Sequence, residues 1–168
     1  MQPDFDVSSL LRRLAGGGVD FVVIGGVAVI AHGYERNTKD LDICYSPAAP
    51  NLEALGAVLV DLGARLRGIP EDLPFVPDAA TLRRTQILTL DTPDGALDLL
   101  VDPDGSPGYA RLKSHAERIE FDGYDILIAS IEDLLEMKRA ANRPQDHTDI
   151  DALTTIQRLR RSAGPGVA

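Results

Sequence analysis

The 168-residue chain has no tryptophan, one cysteine and only four phenylalanines and four tyrosines. A lone cysteine, Cys44, rules out a disulfide within the chain and suits a reducing compartment. The scarcity of aromatic side chains predicts an aliphatic core, for which the 44% hydrophobic content is sufficient. Net positive charge is also missing. At −9 the chain lacks the excess of Lys and Arg that broad, sequence-independent nucleic-acid binding requires. No apolar run approaches membrane-spanning length, and residues 1–20 mix acids and arginines without an apolar stretch, so neither a span nor an export signal is expected. The expectation is one cytoplasmic domain, its core at about 19–128 and a helical part at about 130–161.

The most informative stretch runs from Phe21 to Tyr45. Phe21-Val22-Val23-Ile24 reads as a buried strand, Gly25-Gly26 as a tight turn, and Val27 to His32 as a two-turn helix. A helix start beside glycines offers free N–H groups to an anion such as a phosphate. A second strand, Asp40-Leu41-Asp42-Ile43-Cys44-Tyr45, alternates so that Asp40 and Asp42 share one face and Leu41 and Ile43 the other. Two adjacent carboxylates repel unless a cation lies between them or water surrounds them, and an isolated Asp-x-Asp is usually two solvated acids. Cys44, following on the strand, reads as a buried residue rather than a reactive thiol.

Elsewhere, Asp4 or Asp6 caps a helix over 7–15 with Leu10, Leu11 and Leu14 as its stripe. Ser46 to Pro50 reads as a loop, and Asn51 as the cap of a helix ending at Leu62 before Gly63. Residues 64–84, with Pro70, Pro74 and Pro77 and acids at 71, 72 and 78 beside Arg65, Arg67, Arg83 and Arg84, read as a loop bordering a cleft. Thr85–Leu90 and Ala96–Val101 form a hairpin through Asp94-Gly95, which brings Asp98 into the sheet, either for catalysis or as a buried structural hydrogen-bonding group. A helical turn at 109–113 and a second hairpin, 116–121 and 124–128, follow. Ser130 caps a helix that carries Lys138 at its end, and Pro144 starts a last one with Ile150, Leu153, Ile156 and Leu159 buried. Arg158, Arg160 and Arg161 end that helix as a solvated or RNA-contacting group, and 164–168 is expected to fray. His32, His115 and His147 have no partner histidine at ligand spacing.

The arrangement Ile24-Gly25-Gly26, thirteen residues, Asp40-Leu41-Asp42, with Asp98 on a later strand, resembles the signature of the nucleotidyltransferase superfamily, the DNA polymerase beta-like fold. The Arg36-x-Thr38-Lys39-Asp40-Leu41-Asp42 wording and the series Lys138, Arg143, Asp146, Asp149 resemble the small bacterial abortive-infection nucleotidyltransferase toxins. The resemblance implies an α+β fold, a mixed central sheet flanked by helices, with the C-terminal helices closing over the site. It implies Asp40, Asp42 and Asp98 as ligands of Mg²⁺ or Mn²⁺, and a nucleoside triphosphate as substrate. Gly25 and Gly26 would hold the triphosphate through backbone N–H groups, with Arg36, Lys39 and above all Lys138 as phosphate partners. Many relatives have serine where Gly26 stands. Asp146 and Asp149 would orient Lys138 or Arg143, or be solvated. The toxin-like branch implies an RNA acceptor such as a tRNA end and a cognate antitoxin. The alternatives are transfer to an antibiotic or a protein side chain, and a non-enzymatic nucleotide- or partner-binding module on the same fold.

Overall fold

The structure is a computed structural model that describes residues 4–70 and 72–164. Glu71 of the proline-rich segment and residues 165–168 of the expected frayed end lie outside the described residues. The element order is α1 (Val7–Gly16), β1 (Phe21–Ile24), α2 (Gly25–Ala31), β2 (Asp40–Tyr45), α3 (Ala49–Leu62), β3 (Arg65–Leu66), α4 (Ala79–Arg84), β4 (Ile87–Thr92), β5 (Gly95–Leu100), α5 (Tyr109–His115), β6 (Glu117–Phe121), β7 (Tyr124–Ile128), α6 (Ile131–Ala141) and α7 (Pro144–Ala163).

Among the described residues the strands form one mixed sheet of seven, in the order β3-β4-β5-β2-β1-β7-β6. The connection from β1 through α2 to β2 makes those two strands antiparallel, so Ile24 lies opposite Asp42. β5 then adds to β2 in parallel, with Asp42 opposite Asp98. Side chains alternate along a strand, so this register puts Asp40, Asp42 and Asp98 on one face and fully buries Leu41, Ile43, Leu97 and Leu99 on the other. The core is aliphatic, as composition implied, and no described helix is long and apolar enough to cross a membrane.

Several sequence expectations need correction. No separate Gly-Gly turn precedes α2, because the helix begins at Gly25 itself. The 46–50 segment is shorter as a loop than expected, since α3 starts at Ala49 with Pro50 in its first turn, where the missing N–H is no loss. Asn51 is therefore no cap. It is buried, accepts from the Asp20 N–H at 2.7 Å and donates to the carbonyls of Asp20 and Ser46 at 3.0 and 2.9 Å. The proline-rich segment holds two short elements: β3, which extends the sheet, and α4, capped by Asp78. The first hairpin is shifted, with β4 at 87–92, because the paired backbone continues through Asp91 and Thr92. Leu159 is 66% exposed, since α7 runs on past the core that holds Leu153. Cys44 is buried, and burial pushes its thiol up to about 12, in keeping with a packed strand residue.

Asn51→Ala strips three backbone groups at the junction of β1, β2 and α3 of the side chain that pairs them. Loss of about 2–3 kcal/mol of unfolding free energy is expected in urea titration.

Candidate active site

The three acids converge. One oxygen each from Asp40, Asp42 and Asp98 can be chosen so that all lie within 4.8 Å of one another. Close approach at β1 and α2 makes this possible. Gly25 has φ +67°, and a Cβ there would overlap Asp42 Oδ2, so only glycine leaves the carboxylate its place. Burial pushes the Asp42 carboxyl up to about 7, reinforced by the charges of Asp40 and Asp98 and opposed by Arg143. Asp98 is also raised by burial, with Asp40 adding to the shift, while Arg67 acts against it. Asp42 Oδ1 is buried and has no hydrogen-bond partner. An orphaned carboxylate oxygen in a cluster of hard oxygen donors fits a divalent cation such as Mg²⁺ or Mn²⁺, with Asp40, Asp42 and Asp98 as its protein ligands.

Gly26 is buried, and the space a side chain would take is occupied. A Cβ there would come within 3.0 Å of the Arg36 guanidinium carbon and of Thr38 Oγ1. The loop between α2 and β2 thus lays a cation and a hydroxyl over the start of α2. Thr38 Oγ1 donates to the Asp40 carbonyl at 3.2 Å. Lys39 is exposed and borders, with Arg36 and Thr38, a cavity that also takes in Asp40, Asp42 and Arg143.

Lys138 is not a solvated helix lysine. It is 5% exposed, with Nζ 2.8 Å from Asp149 Oδ2 and 3.4 Å from Asp146 Oδ1. Asp149 is fully buried and also receives Arg36, Nη2 donating to Oδ2 at 3.0 Å with Nε 2.9 Å from Oδ1, and Gln145 at 3.2 Å. Asp146 accepts from the backbone N–H and Nε of Arg143 at 3.0 and 2.8 Å. Burial opposes ionisation of both acids, but the cations outweigh it and hold both carboxyls below the usual range. Asp146 and Asp149 thus tie α6, α7 and the 32–39 loop together. A cavity of about 350 Å³ opens beside them, bordered by Asp42, Asp98, Lys138 and Arg143 on its polar side and by Leu100, Leu134 and Met137 on its apolar side. The C-terminal helices therefore close over the acids as expected.

Arg67 was visible in the sequence only as one of several arginines in a broken segment. In the structure its Nη2 donates to Asp98 Oδ1 at 2.8 Å. The histidines stay apart from the site: His32 lies against the Ala129 carbonyl, His115 against Asp133 and His147 against Asn142.

Because Asp42 titrates near 7 in the fold and near 3.8 when unfolded, its ionisation costs stability progressively between those values and fully above 7. Asp42→Asn is expected to raise the Tm of the metal-free protein by about 2–5 °C at pH 8, with little gain at pH 4, in calorimetric scans. Asp149→Ala is expected to cost about 3–5 kcal/mol, because Arg36 and Lys138 are left buried without their counter-ion. The depressed carboxyl contributes stability above pH 4 that is lost as pH falls further, so the variant should also show a flatter acid limb in chemical denaturation.

No protein-family model matches the sequence, and no curated protein matches it either. Solved structures do resemble it in fold. The lincosamide antibiotic adenylyltransferase LnuA, bound to lincomycin, aligns over 91% of this chain and 99% of its own at 18% identity and a TM-score of 0.61. ANT(2'')-Ia in complex with adenylyl-2''-tobramycin aligns over 92% and 95% at 15% identity and 0.56. An antigenic nucleotidyltransferase-like protein from Paracoccidioides brasiliensis aligns over 91% and 74% at 18% identity and 0.54. With the acids where the signature requires them, these likenesses show that the chain has the nucleotidyltransferase fold.

Proposed function

We propose that the protein is a metal-dependent nucleotidyltransferase of the cytoplasm. The observation that carries this reading is the cluster of Asp40, Asp42 and Asp98 beside the Gly25 bend. An acceptor oxygen attacks the α-phosphorus of a nucleoside triphosphate, the bond from that phosphorus to the β-bridging oxygen breaks, and pyrophosphate leaves. Divalent ions held by the three carboxylates would neutralise the charge that builds on the phosphate and leaving oxygens. Asp98, half-buried and raised by its surroundings, favours loss of the acceptor proton. The backbone of Gly25 and Gly26, with Arg36 and Lys39, is suited to the triphosphate. Lys138, already bound to two carboxylates, acts there through a charge balance it shares with Asp146 and Asp149.

The resemblance to abortive-infection toxins makes the acceptor an RNA end, such as that of tRNA, and adds a cognate antitoxin. A second reading has a specific observation in its favour. The 350 Å³ cavity is the size of a small-molecule site, and Asp102 and Asp104 lie at its border. A small hydroxylated acceptor fits that space and tolerates the chain's acidity better than a polyanion does. Two fold neighbours hold lincomycin and adenylyl-tobramycin.

Radiolabelled NTPs with Mg²⁺, offered bulk RNA in one arm and hydroxylated antibiotics in another, test both readings. Label transfer with pyrophosphate release is expected in one arm, with a loss of roughly a thousandfold in Asp42→Asn. NTP binding with no transfer to any acceptor, unchanged in that variant, would leave a non-enzymatic binding module.

A further inference from the structure

Arg67 stands where β3 ends, at the far side of the hairpin from β2. Its backbone N–H donates to the Thr89 carbonyl at 3.0 Å, which fixes the start of the side chain on β4. The guanidinium then crosses β4 toward β5. Nε donates to Asp91 Oδ1 at 3.1 Å, and Nη2 reaches both the Leu90 carbonyl at 3.0 Å and Asp98 Oδ1 at 2.8 Å. Three groups thus aim one fork, and the planar guanidinium cannot turn one N–H without moving the others. Its target oxygen belongs to the third acid of the cluster.

We propose that Arg67 tunes the ion affinity of the metal site through its charge: it holds one oxygen of Asp98, leaves the other to the divalent ion, and sets the charge the ion meets. This rests on the metal-dependent reading above. Among the described residues Arg67 is the cation paired with Asp98, while Arg143 is paired with Asp146 and Arg36 with Asp149. With Arg67, one positive charge sits a hydrogen bond from the ligand set. A divalent ion therefore binds more weakly than bare carboxylates would allow, and binds Asp98 through a single oxygen.

The test is Mn²⁺ alone, titrated against the intact protein at pH 8 with free ion followed by electron paramagnetic resonance. Arg67→Gln is expected to bind Mn²⁺ about three- to thirtyfold more tightly than the unaltered chain, because a close like charge is removed. Arg67→Lys keeps the charge without the fork and is expected to stay within about threefold of the unaltered chain. Arg12→Gln, at a surface pair with Asp122, makes the same change in net charge and should leave the affinity unaltered. A residue that merely braced the hairpin would change thermal stability and not ion affinity. Equal or weaker binding by Arg67→Gln, with the unaltered chain binding normally, overturns the inference and leaves the metal-dependent reading standing. Failure of the unaltered chain to bind Mn²⁺, or equal binding by Asp42→Asn, overturns both.

Discussion

Three carboxylates held within one ion's reach are the constraint on which the rest depends. Their mutual repulsion works against folding, and water cannot relieve it at the buried Oδ1 of Asp42. The sheet imposes the contact through backbone pairing. Antiparallel β1–β2 and parallel β2–β5 lock Asp42 opposite Asp98, and the fully buried leucines and isoleucine behind them hold the register. A slip of one residue would turn those aliphatic side chains outward, so hydrophobic burial on one face enforces charge crowding on the other.

Around that crowding the chain distributes cations. Arg67 meets Asp98, Arg143 meets Asp146 near Asp42, and Arg36 with Lys138 meets Asp149. The last group is the most buried and carries a structural duty, since it joins the loop before β2 to both C-terminal helices. Lys138 and Arg36 read from sequence as phosphate partners waiting for a ligand. In the fold each already has a carboxylate, and any anion entering the site shares them with Asp149 or displaces it.

The stretch from Phe21 to Tyr45 was legible because its signals are local: a continuous apolar run, a glycine pair, then strict alternation. The placement of Asp98 followed from the Asp94-Gly95 turn. Asn51 was misread because the same side chain suits a helix start and a buried bridge, and only the neighbouring backbone of Asp20 and Ser46 decides between them. β3 and α4 were hidden by prolines that border them without interrupting either. The pairing of Asp149 with Lys138 was legible from the C-terminal series. The Arg67–Asp98 and Arg36–Asp149 pairs were out of reach for a different reason: they join residues 31 and 113 apart, and no periodicity reports such a contact.

The parallel pairing of β2 with β5 has a kinetic side. These strands are separated by two helices, an edge strand and the β4 arm, so they meet only after a long loop has closed. Asp40 and Asp42 are together as soon as β2 forms, whereas Asp98 arrives with the hairpin that brings it. The chain thus defers its least favourable electrostatic encounter to the docking step that also brings Leu97 and Leu99 against Leu41 and Ile43, so the repulsion on one face of the sheet arrives together with apolar burial on the other.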